Sequence, residues 1–150
     1  MWLTVIALAP LLLTVVARAE FQPDVIGALR TAKNLYVATE RADGTRSEVS
    51  PIWFMFDGEA LYFTTVPTSY KAKRTKIGRP LHIWVGSKDG PYFTGRGEVL
   101  TDPAVAERMA PVYDEKYWIS WLGFFRPRPD RVADGKTVVI RVTPLAESAS

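Results

Sequence analysis

Three Asp-Gly pairs punctuate the middle of this chain: Asp43-Gly44, Asp57-Gly58 and Asp89-Gly90. Asp-Gly is a preferred pair for tight hairpin turns, because glycine accepts a positive φ and aspartate bonds to nearby backbone. The segments between them are rich in β-branched and aromatic residues, which suit a pleated, half-buried surface. Strands are predicted over 35–39, 45–56, 60–66, 81–85, 92–100 and 136–142. Six strands joined largely by hairpins predict a small antiparallel barrel, mostly β, with short helices between. Pro51 interrupts the second strand and cannot donate to a ladder, so it is expected at an edge, a bulge or a ligand-facing position. Gly95 and Gly97 predict a bulge or a close backbone approach in the fifth strand.

The helices are signalled at their ends. Pro23 suits a first helical turn, and Val25, Ile26 and Leu29 give that helix one apolar face. Thr68 or Ser69 can cap a helix that Gly78 and Pro80 stop. Asp102-Pro103 opens the longest helix, about 103–117, followed by an aromatic stretch over 117–125 and the polar loop Arg126-Pro127-Arg128-Pro129. A length of 150 residues with 47% hydrophobic content predicts one packed domain, here 20–146, with 147–150 as a frayed tail.

Composition removes several chemistries. With no cysteine, disulfide scaffolds, thiolate metal sites and cysteine nucleophiles are excluded. One histidine, His82, leaves a histidine metal site short of ligands, and no metal is expected. No phosphate-binding Walker loop, dinucleotide glycine fingerprint or paired-carboxylate signature occurs. Net charge is only +3, which gives no footprint for nucleic acid.

Residues 1–17 are apolar apart from Thr4 and Thr14, and Ala17-Arg18-Ala19 is a small-x-small sequence. A cleaved export signal ending at Ala19, an uncleaved membrane anchor and a buried or wrongly placed start are the three readings. They imply an exported, periplasmic location, a membrane-anchored one, or a cytoplasmic one, respectively.

The positive charge is concentrated in Lys71, Lys73, Arg74, Lys76 and Arg79. A helix start with a hydroxyl at Ser69 and ammonium groups at Lys71 and Lys73 can hold a phosphate. Residues i and i+2 do not share a helix face, so both lysines reach one phosphate only if the turn entering the helix carries them. The alternative on local grounds is a solvated basic helix face.

The order of these parts resembles the pyridoxamine 5'-phosphate oxidase-like split β-barrel superfamily, which includes flavin and deazaflavin oxidoreductases. The resemblance spans about 22–144. It rests on Ser50-Pro51-Ile52-Trp53-Phe54, Leu61-Tyr62-Phe63-Thr64-Thr65, Ser69-x-Lys71-Ala72-Lys73 and Gly95-Arg96-Gly97-Glu98-Val99 before Asp102-Pro103. Lys116-Tyr117 and the ending Val139-Ile140-Arg141-Val142-Thr143-Pro144 agree with it. The resemblance implies a six-stranded antiparallel split β-barrel and an oxidoreductase passing a hydride or electrons to a small-molecule substrate. It implies FMN, or the deazaflavin coenzyme F-420, as cofactor. Lys71 and Lys73 would hold the cofactor phosphate with help from Ser69. The strand around Ser50, Pro51, Ile52 and Trp53 would line the ring, with Thr64 and Thr65 near it. A homodimer with the site between subunits is implied as well. FMN-binding relatives often carry arginine just before the first lysine, where this chain has Tyr70.

Other readings remain beside this one. The same pocket could sequester a flavin, a haem or another planar anion without turnover. The aromatic stretch 117–125 could cover the barrel or a dimer interface, or face a substrate or membrane. Trp53 fits a core position or a flavin edge. Arg96, between two glycines, fits a surface salt bridge better than an anion contact at a subunit interface, and His82 fits an ordinary strand position better than a catalytic one.

Overall fold

The computed structural model describes residues 19–146 apart from Phe124. The expected leader over 1–19 and the tail over 147–150 therefore fall outside the described residues, save Ala19.

Seven strands form one antiparallel sheet: β1 (Leu35–Thr39), β2 (Ser50–Ile52), β3 (Met55–Phe56), β4 (Leu61–Thr65), β5 (Leu81–Val85), β6 (Tyr92–Leu100) and β7 (Val138–Pro144). Their order across the sheet is β2-β1-β5-β6-β7-β4-β3. The predicted second strand, 45–56, is thus two strands. β2 pairs with β1 (Val37 opposite Ser50) and β3 pairs with β4 (Phe56 opposite Leu61). These two strands lie at opposite ends of the sheet, yet only Trp53 and Phe54 separate them. Three Cα steps span at most about 11 Å, so the sheet must curl until its two edges meet. The chain turns that corner, which is why one predicted strand becomes two in a curled, split-barrel sheet.

The corner is held from outside. α3 (Pro103–Lys116) is capped by Asp102, whose side chain accepts from the Ala104 N–H. Tyr113 Oη donates to the Trp53 carbonyl at 2.8 Å, and Lys116 Nζ donates to the Phe54 carbonyl at 3.1 Å. Tyr117 Oη accepts from the Phe54 N–H at 3.0 Å and donates to the Lys33 carbonyl at 2.7 Å. Backbone groups that leave a ladder inside a protein must find such partners, or each costs about 1–3 kcal/mol. The Trp53 ring stacks on Tyr117, centroids 4.2 Å apart, which seals the corner.

Two apolar cores result. Inside the curl, Phe54, Leu61, Phe63, Leu81, Ile83, Ile140 and Val142 pack together, and α1 (Pro23–Thr31) closes one end with Val25 and Leu29. On the outer face of β3, β4 and β7, Tyr62 and Val139 pack under α3 through Val105, Ala106, Met109 and Tyr113. Gly95 and Gly97 are close approaches rather than a bulge, since the β6–β7 register runs unbroken. A Cβ at Gly95 would stand 2.4 Å from Val142 Cγ1, and one at Gly97 2.5 Å from Thr75 Cγ2.

The turns follow the sequence with one exception. Gly44 and Gly58 have φ of 83° and 94°, and Asp57 Oδ1 accepts from the Glu59 and Ala60 N–H groups. In the third turn it is Gly86, not Gly90, that takes a positive φ, 82°. Gly90 is required for a different reason: a Cβ there would meet the Val85 carbonyl oxygen. Two short helices come unforeseen after α3: α4 (Trp118–Trp121) in the aromatic stretch and α5 (Pro129–Ala133) at the end of the polar loop.

Candidate functional site

The basic turn folds as α2 (Tyr70–Lys76), seven residues long. Two turns give a weak dipole, so anion binding here depends on side chains. Ser69 caps it: its Oγ accepts from the Ala72 N–H at 3.1 Å and from Thr65 Oγ1 at 2.9 Å. Two acceptor positions are thereby used, and the Ser69 hydroxyl proton is left to donate. Ser69 and Thr65 are tied together by this contact, which also fixes α2 to the end of β4.

Lys71 is half-buried, and burial holds its ammonium below the usual lysine range. No carboxylate pairs with it among the described residues. It lines a cavity of about 460 Å³ with Thr39, Ser47, Ser50, Tyr70 and two further cations, Arg41 and Arg74, against one acid, Glu48, which forms no ion pair with it. Arg74 is fixed there by donating to Thr39 Oγ1 at 2.8 Å, with its guanidinium 4.4 Å from the Tyr70 ring centroid. Tyr70 is thus the platform for Arg74.

A second cavity, of about 370 Å³, is lined by Pro51, Ile52, Trp53, Thr64, Tyr113 and Phe125. β2 joins the two, because Ser50 belongs to the first and Pro51 to the second. Pro51 is exposed on an edge strand, as its missing N–H requires. Phe125 is 76% exposed and has φ 56°, an unusual conformation for an aromatic residue. Its ring meets Trp53 edge-on at 5.6 Å.

The structure therefore gathers Ser50 with Lys71, and Pro51, Ile52 and Trp53 with Thr64, while Thr65 joins Ser69. Lys73 is placed apart. It lies inside the helix rather than in the entering turn, so it points away from Lys71 and lines cavities shared with Arg79. Tyr113, Tyr117 and Lys116 were not expected as site supports. Their signal was present in the spacing: Tyr113 and Tyr117 are four apart, on one helix face. Burial pushes the Tyr117 phenol up to about 12, against the Phe54 hydrogen bond, and raises that of Tyr113 too. Burial, then the nearby Lys33 charge, brings Lys116 down to about 8.

Of the remaining residues, His82 is buried and hydrogen-bonds Tyr92 Oη and Glu40. Arg96 is exposed and makes no ion pair among the described residues.

The family model for pyridoxamine 5'-phosphate oxidase matches residues 22–149. The chain belongs to this family. Solved structures agree with the assignment. An F420 reductase is 27% identical, with 80% of this chain and 92% of that one covered and a TM-score of 0.55. General stress protein 26 from Bacillus anthracis is 19% identical, covering 81% and 86% of the two chains at a TM-score of 0.58. A conserved protein of Mycobacterium tuberculosis, 16% identical, covers 88% and 92% at a TM-score of 0.58. These last two show the fold alone. No curated protein matches the chain. Membership makes this a chain of an oxidoreductase-type family, whose members bind flavin-type cofactors.

Proposed function

We propose that this chain is an oxidoreductase that binds a phosphorylated flavin-type cofactor along β2, with the phosphate at Lys71 and the ring beside Trp53 and Thr64. The observation that carries this reading is the half-buried Lys71 ammonium, which has no carboxylate partner and faces the cavity that Ser50 shares. Such a charge is costly without a counter-ion, and a phosphate would restore its ordinary protonation. Ser69 would donate its free proton to the same group, and Lys73 would add only more distant charge. Pro51, Ile52 and Trp53 would lie along the ring, with Thr64 across from them and Thr65 holding Ser69 in place. When bound, the cofactor would supply hydride or electron transfer. The chain's own work would be to fix the ring, exclude water with Trp53, Tyr113 and Phe125, and leave one face open to a small substrate.

FMN and the deazaflavin coenzyme F-420 are both compatible with this site, and likeness to an F420 reductase favours the deazaflavin. We also place a second copy over the outer face of β1, β5 and β6, which α3 does not cover. Tyr92 on that face is 42% exposed, beside Trp84.

Absorbance titration of the purified protein with FMN and with F-420, followed by reduction with a nicotinamide donor, tests the reading. Saturable binding of one of them with turnover is expected. Binding without reduction would indicate a sequestration module, and failure to bind either would refute the proposal.

A further inference from the structure

The far side of α2 carries a second feature, separate from the groove of Lys71. A cavity of about 700 Å³ lies between α2, the middle of β6 and the turn at Gly135. Lys73, Lys76, Arg79 and Arg96 line it, against one acid, Glu98. None of these four cations makes an ion pair among the described residues.

Two further observations point to a ligand. The first is Thr75, 3% exposed in the wall of this cavity, whose Oγ1 has no hydrogen-bond partner among the described residues. Buried hydroxyls are ordinarily partnered, and a threonine hydroxyl can rotate toward an incoming acceptor. The second is the edge of β6. β5 begins at Leu81, opposite Gly95, so no strand follows β6 on that side beyond Gly95. The Thr94 carbonyl accepts from Leu145 on the β7 side, at 2.9 Å. Strand alternation then turns the N–H and C=O groups of Gly97 and Val99 the other way, to the side that β5 leaves uncovered. The bare glycine at 97 lets Thr75 of α2 pack close against β6, because a Cβ there would stand 2.5 Å from Thr75 Cγ2.

From this set we infer a second binding site, for a multivalent oxyanion bearing phosphate or carboxylate groups. Four cations supply attraction, and the Gly97 and Val99 N–H groups on the uncovered edge of β6 supply directed donors. The site stands whether or not the cofactor reading holds, since it uses the opposite face of α2.

Calorimetric titration at low ionic strength tests it, with inorganic pyrophosphate and citrate as the two probes and acetate as the monovalent control. Saturable binding of pyrophosphate or citrate, tighter than acetate, is expected, and the better of the two identifies the source of the oxyanion. The double variant Lys76→Gln/Arg96→Gln, checked for fold by circular dichroism, should bind at least about tenfold more weakly. Lys71→Gln should leave this binding unchanged. Three results would overturn the inference: no saturable binding of either probe, affinity unaltered in the double variant, or an equal loss in Lys71→Gln. The last would move the anion to the cofactor groove.

Discussion

Lys71 and Lys116 are both lysines held below their ordinary range by burial, but their surroundings differ. Lys116 donates to the Phe54 carbonyl and lies 3.2 Å from the Phe54 ring centroid, so its charge has partners. Lys71 has none of that kind, which is why it is the residue expected to meet a phosphate. Affinity for the cofactor should fall as pH rises through the lowered Lys71 pKa, because the neutral amine no longer attracts the anion. Lys116 has a separate signature in stability. Its folded pKa is about 8 and its ordinary value 10.5, so between them the unfolded chain holds more protons and stability rises with pH. Tyr117 bounds that window: its phenol is raised from 10.0 to about 12, so above 10 the unfolded chain loses a proton first and stability falls. Urea midpoints taken on both sides of pH 8 should show the rise in the native protein and not in Lys116→Met. Tyr117→Phe removes the hydroxyl that serves both Phe54 N–H and Lys33 carbonyl, and should cost about 1–3 kcal/mol in the same assay.

At the scale of elements, α2 and the corner between β2 and β3 decide the site. Ser69→Ala should remove the α2 cap at about 0.5–2 kcal/mol, read by chemical denaturation, and should weaken cofactor binding as well. α2 was legible from Ser69, Gly78 and Pro80, and β6 from the Asp89-Gly90 turn before it. The strand ends were legible from Asp43-Gly44 and Asp57-Gly58. The split at Trp53-Phe54 was not, because its cause is remote in sequence: Tyr113 and Tyr117 take over backbone bonds about sixty residues away. The separation of Lys73 from Lys71 was half legible. The spacing of two residues argued against a shared face, but only the helix boundary at Tyr70 decided it. The cavity at Arg96 was invisible locally, since it depends on where β5 stops relative to β6.

For the molecule as a whole, curling brings the first and last strands of the sheet together and lays Ser50 to Trp53 along the seam as one continuous wall. α3 covers one half of the outer face and leaves Trp84 and Tyr92 on the other half. If a second copy packs there, light scattering should give a dimer mass, and Trp84→Arg should give a monomer. The central claim is narrower: that Lys71 recognises the phosphate of a flavin-type cofactor. It is tested most directly by titrating native protein and Lys71→Gln with a flavin bearing its phosphate and with the same flavin lacking it. The native protein should prefer the phosphorylated form. Lys71→Gln should lose at least about tenfold on that form while binding the phosphate-free form as before. Equal losses on both forms, or none on either, would contradict the account.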